Sequence, residues 1–224
     1  MLKREDFTPQ RIDEIIAEAR RHGPYDALTH EERDTDRKAF LSKSDGDGLW
    51  VFGYGSLLWN PAFNFTASTP AKLHGYHRRF CLKLSMGRGS PKNPGLMLAL
   101  DNGGSCNGRA FYIEPDSVES ETRILWMREM LSGAYKARWC TIKLKEKNVK
   151  GLSFVINRQH SRYVREITAE KTIELLGTGY GYLGSCREYL ENTIDHLDEI
   201  NVKDRYLHNL RESLRERYPT AQIK

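Results

Sequence analysis

The stretch Trp50-Val51-Phe52-Gly53-Tyr54-Gly55-Ser56-Leu57-Leu58-Trp59 constrains this chain more than any other. Leu49 to Phe52 is apolar, partly β-branched and partly aromatic, which is the make-up of a buried strand. The run stops at Gly53-Tyr54-Gly55-Ser56, and apolar residues resume at Leu57 with no polar linker between. A chain that leaves one buried segment and re-enters the core so soon must bend sharply. Glycines on both sides of one aromatic predict positive φ at Gly53 and Gly55 and a close approach of another group to the main chain. Successive N–H groups in such a bend form a concavity suited to a carboxylate or a developing oxyanion. The same residues also describe a tight turn between two core segments, so the rest of the chain has to decide.

Ahead of this stretch, Thr8-Pro9 opens a helix in which Ile12, Ile15, Ile16 and Ala19 fall at i, i+3, i+4 and i+7, and Gly23-Pro24 stops it. From Leu28 the chain is polar and charged until Asp45-Gly46-Asp47-Gly48, a loop signal. Residues 1–48 therefore read as an N-terminal helical extension and residues 49–224 as the main domain. Beyond the opening strand, Lys72 to Leu84, Leu96 to Leu100 and Cys106 to Ile113 read as strands. Asp101-Asn102-Gly103-Gly104 between the last two predicts a hairpin turn. Asp116 or Ser117 can cap a helix running to about Ser132. Trp139 to Leu144 and Leu152 to Ile156 are further strands; Thr172 to Leu176, Ser185 to Glu199 and Lys203 to Tyr218 are helical. Strands cluster early and helices late, without regular alternation. That predicts an α+β fold with a compact, mostly antiparallel, barrel-like sheet and flanking helices.

Composition removes several classes of function. No apolar run reaches the length of a membrane span, so membrane insertion is not expected. The start, Met1-Leu2-Lys3-Arg4-Glu5-Asp6, lacks the apolar core of a secretory signal. Cys81, Cys106, Cys140 and Cys186 lie far apart, as reduced core thiols of a cytoplasmic protein do. The formal charge of +5 would suit a nucleic-acid partner, but the basic residues are interleaved with 30 acidic ones. The nearest approaches to a basic patch are His77-Arg78-Arg79 and the tail from Lys203 to Arg217, and no nucleic-acid partner is expected.

Gly179-Tyr180-Gly181-Tyr182-Leu183-Gly184 spells G-x-G-x-x-G but follows no strand, so the dinucleotide motif lacks its context. His74 and His77, three apart on a strand, point to opposite faces and make a poor metal pair. Glu129 is more informative. Leu125 and Trp126 precede it by four and three residues, so on a helix it shares their face near the C-terminus. A carboxylate set against apolar side chains in this way can accept a proton near neutral pH, although the same spacing describes a surface glutamate on an amphipathic helix.

Together, Val51-Phe52-Gly53-Tyr54-Gly55-Ser56-Leu57 with Trp59-Asn60-Pro61, Arg88-Gly89-Ser90-Pro91 with Pro94, Arg128-Glu129 and Arg187-Glu188-Tyr189-Leu190 resemble, in that order, the ChaC family of glutathione-specific γ-glutamylcyclotransferases. Cys186 departs from the pattern, standing where many relatives have Asn. The resemblance implies a γ-glutamylcyclotransferase-like fold and cleavage of glutathione to 5-oxoproline and cysteinylglycine, with no cofactor and no metal. It implies Glu129 as catalytic acid–base and Gly53, Tyr54, Gly55, Ser56, Leu57 and Leu58 as the substrate-binding loop. Arg88 is then a partner for a substrate carboxylate, and Tyr135 and Tyr189 are phenol donors. Two alternatives stay open: a cyclotransferase for other γ-glutamyl peptides or amines, and a non-catalytic regulator of a transport protein. Oligomeric state is not fixed by these residues.

Overall fold

Thr8 accepts a hydrogen bond from the Arg11 N–H and starts α1 (Pro9–Arg21), as the Thr-Pro pair predicts. A second helix, α2 (His30–Leu41), lies inside the stretch expected to be merely polar and charged. Thr29 and Glu32 form a reciprocal capping box at its start. Its buried residues are Arg33, Arg37 and Phe40, so its inner face is largely ionic and no apolar period announces it. The computed structural model describes residues 2–219.

β1 (Leu49–Gly53) is covered on both faces, which is why its apolar run is unbroken. Leu49 and Val51 pack in one cluster with Leu125 and Trp126, while Phe52 packs in another with Leu190 and Ile194. β2 (Ala67–Leu84) and β3 (Gly95–Ile113) form one long antiparallel ribbon, from Ala67 opposite Tyr112 to Leu84 opposite Gly95. The hairpin expected at 101–104 is absent: Asp101 faces His77 and Ser105 faces His74, within the same pair of strands. Gly103 and Gly104 take φ of +97° and +69°, and Gly75 on the facing strand takes +84°. The glycines thus form a bulge that bends the ribbon instead of reversing it.

After a single 3-10 turn, α3 (Val118–Glu129) ends at Glu129, short of the expected Ser132. β4 (Tyr135–Lys143) and β5 (Asn148–Ile156) pair antiparallel, β4 joins β2 through Leu73 and Ile142, and β5 runs parallel to β1. The order β1-β3-β2-β4-β5 closes into a barrel, mostly antiparallel as expected. α4 (Ala169–Thr178) leads to a small hairpin, β6 (Tyr180–Gly181) and β7 (Gly184–Ser185), and then to α5 (Cys186–Glu199) and α6 (Arg205–Arg217). The G-x-G-x-x-G run is therefore this hairpin. Its Gly181 lies against the Gly87 and Gly89 carbonyls, where a side chain would not fit.

Leu190, Ile194 and Leu197 of α5 and Leu207 and Leu214 of α6 are fully buried in the cluster that contains Phe52. Each such side chain contributes roughly 1.5–3 kcal/mol of burial, more than a surface ion pair. The basic residues grouped at His77-Arg78-Arg79 are no surface patch. Arg78 is buried, pairs with Asp204 and donates to the Tyr54 and Asn107 carbonyls. Arg79 pairs with Asp101 at 2.9 Å. In the C-terminal tail, Lys203 pairs with Asp198 and Arg215 with Glu191.

α2 packs on α3 by polar and aromatic contacts. Arg37 grips Glu119 with two nitrogens at 2.7 and 2.8 Å, and the Trp126 indole donates to Asp36 at 2.8 Å. Phe40 stacks on Trp139 with centroids 4.4 Å apart. No helix of the described residues is long and apolar enough to cross a membrane.

Candidate active site

The chain leaves β1 through Tyr54 and Gly55 into a single 3-10 turn, Ser56–Leu58. Leu58 N–H donates to the Gly55 carbonyl at 2.8 Å and Asn60 N–H to the Ser56 carbonyl at 2.9 Å. Leu57 enters the cluster on the α3 side and Leu58 the cluster on the α5 side, so the turn is pinned from both. The N–H groups of Gly55 and Leu57 have no backbone acceptor among the described residues. The expectation of positive φ here is overturned: Gly55 sits at −138°, and Gly53 is not among the glycines with positive φ. Close approach is the physical reason instead. A Cβ on Gly53 would lie 2.9 Å from the Phe111 ring, and one on Gly55 would run into the Tyr189 hydroxyl.

Glu129 is the last residue of α3, and its side chain is 15% exposed. Its Oε1 accepts from the Arg128 Nε at 2.8 Å, and its Oε2 accepts no hydrogen bond from the described residues. Arg128 also donates to Ser56 Oγ at 2.8 Å and to the Asn60 carbonyl. One guanidinium therefore fixes the turn after β1 to the end of α3. Arg128 has no pattern of its own in the chain that marks this task, although it adjoins Glu129 in the Arg128-Glu129 motif.

Three tyrosines surround the carboxylate. Burial pushes the Tyr54, Tyr135 and Tyr189 phenols above their ordinary value, and the negative charge of Glu129 adds to it in each case. They stay protonated as donors. Tyr135 spends its hydroxyl proton on the Leu98 carbonyl at 2.9 Å. Arg88 is buried beside the Tyr189 ring, its Nη1 donating to Glu188 and to the Ser185 carbonyl, both at 2.8 Å. The Cys186 thiol donates to the Arg88 carbonyl at 3.0 Å, and burial pushes its pKa up to about 11. Cys186 is thus a support for the Arg88 loop rather than a thiolate nucleophile.

Tyr54, Gly55, Ser56, Leu57, Arg88, Glu129, Tyr135 and Tyr189 line one cavity of about 260 Å³, whereas Gly53 and Leu58 stand behind its wall. Phe7, Ile12, Ile15 and Tyr25 of the N-terminal segment also line it, and no motif or spacing in the chain signals this. That segment is anchored on the site: Asn60 donates to the Leu2 carbonyl at 2.8 Å, and Arg4 pairs with the buried Glu121. Among the described residues no group of three or more His, Cys, Asp or Glu side chains is placed to hold a metal ion. The arrangement can bind a small polar molecule through N–H groups, arginines and phenols while presenting one carboxylate oxygen to it.

Residues 49–217 match the family model described as ChaC-like protein. The glutathione-specific gamma-glutamylcyclotransferase of Escherichia coli (strain K12) is 35% identical over 200 residues, 87% of each chain. The glutathione-specific gamma-glutamylcyclotransferase 1 of Homo sapiens is 31% identical over 166 residues, 71% of this chain and 75% of that one. A crystal structure of a gamma-glutamyl cyclotransferase specific to glutathione from yeast superposes with a TM-score of 0.71 at 21% identity, covering 80% of this chain and all of that one. That likeness shows the shared fold.

Proposed function

This chain belongs to the ChaC family, and on that footing we propose that it cleaves glutathione to 5-oxoproline and cysteinylglycine, with Glu129 as the acid–base group. The observation that carries the reading is the Glu129 carboxylate, held by Arg128 through one oxygen and open to the cavity through the other. The α-amine of the γ-glutamyl group attacks its own γ-carbonyl, closes a five-membered lactam and expels the amine of cysteinylglycine. The nucleophile is already tethered, so the protein's first task is to fold the substrate into attack geometry. Glu129 takes one proton from the α-ammonium before attack and passes it to the leaving nitrogen. The attacking nitrogen sheds a second proton as the lactam forms, and the departing amine takes that one up as well, so no proton is gained or lost overall. Oxygen charge that develops on the γ-carbonyl is met by the N–H groups of Gly55 and Leu57, which have no backbone acceptor of their own. The Tyr189 hydroxyl is positioned by its contact with Gly55 to donate to the same substrate. Arg88 pairs with a substrate carboxylate through the nitrogens not committed to Glu188 and Ser185. Tyr135, bound to the Leu98 carbonyl, shapes the wall behind Glu129.

On this reading residues 49–224 carry the chemistry and residues 1–48 are an extension that closes one side of the cavity. A cytoplasmic setting suits the four free cysteines and supplies the tripeptide. The test is incubation of the purified protein with glutathione in excess EDTA, following both products by mass spectrometry. Stoichiometric 5-oxoproline and cysteinylglycine are expected; release of free glutamate instead would replace internal aminolysis by hydrolysis.

A further inference from the structure

The charged side chains that line the cavity are Arg88, Arg128, Arg162 and Glu129. Two of the arginines are already balanced, Arg128 by Glu129 and Arg88 by Glu188. Arg162 makes no ion pair among the described residues. It donates instead to the Ser132 hydroxyl, and its guanidinium carbon lies 5.5 Å from the centroid of the Tyr25 ring. Its backbone is fixed as well: the Arg162 carbonyl accepts from Lys83 N–H at 3.0 Å, and its own N–H donates to His160 Nδ1 at 3.1 Å. The His160 ring in turn meets the Ser132 carbonyl at 3.0 Å through Nε2. Arg162 is therefore a fixed cation with no anion of its own, pressed between a wall of the barrel domain and the N-terminal segment. Glu188 included, the cavity carries one positive charge in excess. Glutathione, with two carboxylates and one ammonium, carries one negative charge in excess.

The two substrate carboxylates lie at opposite ends of the molecule. The one on the γ-glutamyl unit must stay near the reacting amine, hence near Glu129 and Tyr189, where Arg88 sits over the Tyr189 ring. The glycyl carboxylate lies farthest from the scissile bond and needs a separate cation. We propose that Arg162, framed by Tyr25 and Ser132, binds the glycyl carboxylate and sets the preference for the tripeptide over γ-glutamyl compounds with an uncharged tail. The proposal rests on the glutathione-cleaving reading above and assigns the far end of the same site. It also gives the N-terminal segment a task, since Tyr25 supplies one side of the frame.

The experiment compares glutathione with γ-glutamylcysteinylglycinamide, in which a neutral amide of the same size replaces the glycyl carboxylate, for the wild type and Arg162→Gln. The wild type should favour glutathione in kcat/KM by about tenfold or more, the size expected for losing one charged hydrogen-bonded contact. Arg162→Gln should lose that preference, chiefly through a higher KM for glutathione, with its rate on the amide little changed. Circular dichroism and thermal unfolding of the variant are the control for folding. Equal wild-type rates on the two substrates would overturn the subsite without any variant. So would an Arg162→Gln enzyme equally impaired on both. Failure of the wild type to release 5-oxoproline from either compound would sink the parent reading and the subsite with it; steady turnover without charge preference sinks the subsite alone.

Discussion

Arg128 and Glu129, consecutive in the chain, form the ion pair that joins helix to turn: Nε lies 2.8 Å from Oε1, and neither side chain is more than 15% exposed. The remaining nitrogens of the same guanidinium hold Ser56 Oγ and the Asn60 carbonyl. The carboxylate and the turn after β1 are thus positioned by one planar group, which a lysine cannot imitate with a single ammonium. Arg128→Lys should lower kcat by about ten- to a hundredfold, because small misplacement of reacting groups has that cost. Steady-state kinetics on glutathione would measure it. A kcat within threefold of wild type would show that the turn keeps its place without Arg128.

Gly55 is prevented from carrying a side chain by the Tyr189 hydroxyl, not by its backbone angle. Gly55→Val should therefore push Tyr189 or the turn aside and reduce kcat/KM by tenfold or more, since overpacking costs about 1–3 kcal/mol. Circular dichroism should show the fold retained. Adding Tyr189→Phe removes the atom in the way and should recover thermal stability but not activity. Full activity in Gly55→Val would reduce the stretch to a structural turn.

Local chemistry that leaves a local mark was legible in the chain. The double-sided burial of β1 shows as an unbroken apolar run, and α1 shows as Ile12, Ile15 and Ile16 behind Thr8-Pro9. The three- and four-residue spacing from Trp126 and Leu125 marks the helix position of Glu129. What escaped was structure whose cause is distant or ionic. α2 buries Arg33 and also Arg37, whose partner Glu119 lies far along the chain, so it has no apolar signature. Gly103 and Gly104 make a bulge where the same pair in a shorter ribbon would make a turn, and only pairing with β2 distinguishes them. Arg162 and Tyr25 meet in the cavity because the chain closes on itself, which no spacing records.

The α2–α3 contact has a pH signature. Hydrogen bonds from Arg37 and then Arg123 hold the Glu119 carboxyl down at about 2, from an ordinary 4.5. A lowered folded-state value adds stability above the unfolded value and loses it as pH falls toward the folded one. Urea midpoints should therefore drop as pH is taken from roughly 4.5 to roughly 2, and Glu119→Gln should flatten that dependence. The effect should be modest, since the Glu119 side chain is 57% exposed and solvent screens it. An identical pH dependence in the variant would assign acid sensitivity to other carboxylates.

Substrate choice follows from how much of the cavity the leaving portion fills. If the site holds the Cys-Gly portion as well as the γ-glutamyl unit, glutathione should exceed γ-glutamylalanine in kcat/KM by tenfold or more. That ratio corresponds to about 1.4 kcal/mol of differential transition-state binding. Competition between the two substrates in one reaction, read as cysteinylglycine against alanine released, gives the ratio directly. Comparable rates would point to a cyclotransferase of broader range.

Glu129→Gln should give a folded, substrate-binding and nearly inactive protein. Gln keeps the size and polarity of the side chain, and its amide oxygen can still accept from the Arg128 Nε. The helix end, the Ser56 contact and the cavity wall should therefore persist, with thermal unfolding little changed. What Gln cannot do is take the proton from the α-ammonium, and while that proton stays the amine has no lone pair to attack with. Loss of a general base costs about 10²–10⁴-fold in rate, and in the proposed mechanism the same group also serves the leaving amine, so the upper part of that range is expected. The loss should fall on kcat, with KM nearly unchanged. Glu114→Gln is the control, since Glu114 lies outside the cavity and accepts from the Thr66 hydroxyl at 2.7 Å. Retention of more than about a tenth of wild-type kcat by Glu129→Gln, well short of what losing a base entails, would move the proton transfer to another group.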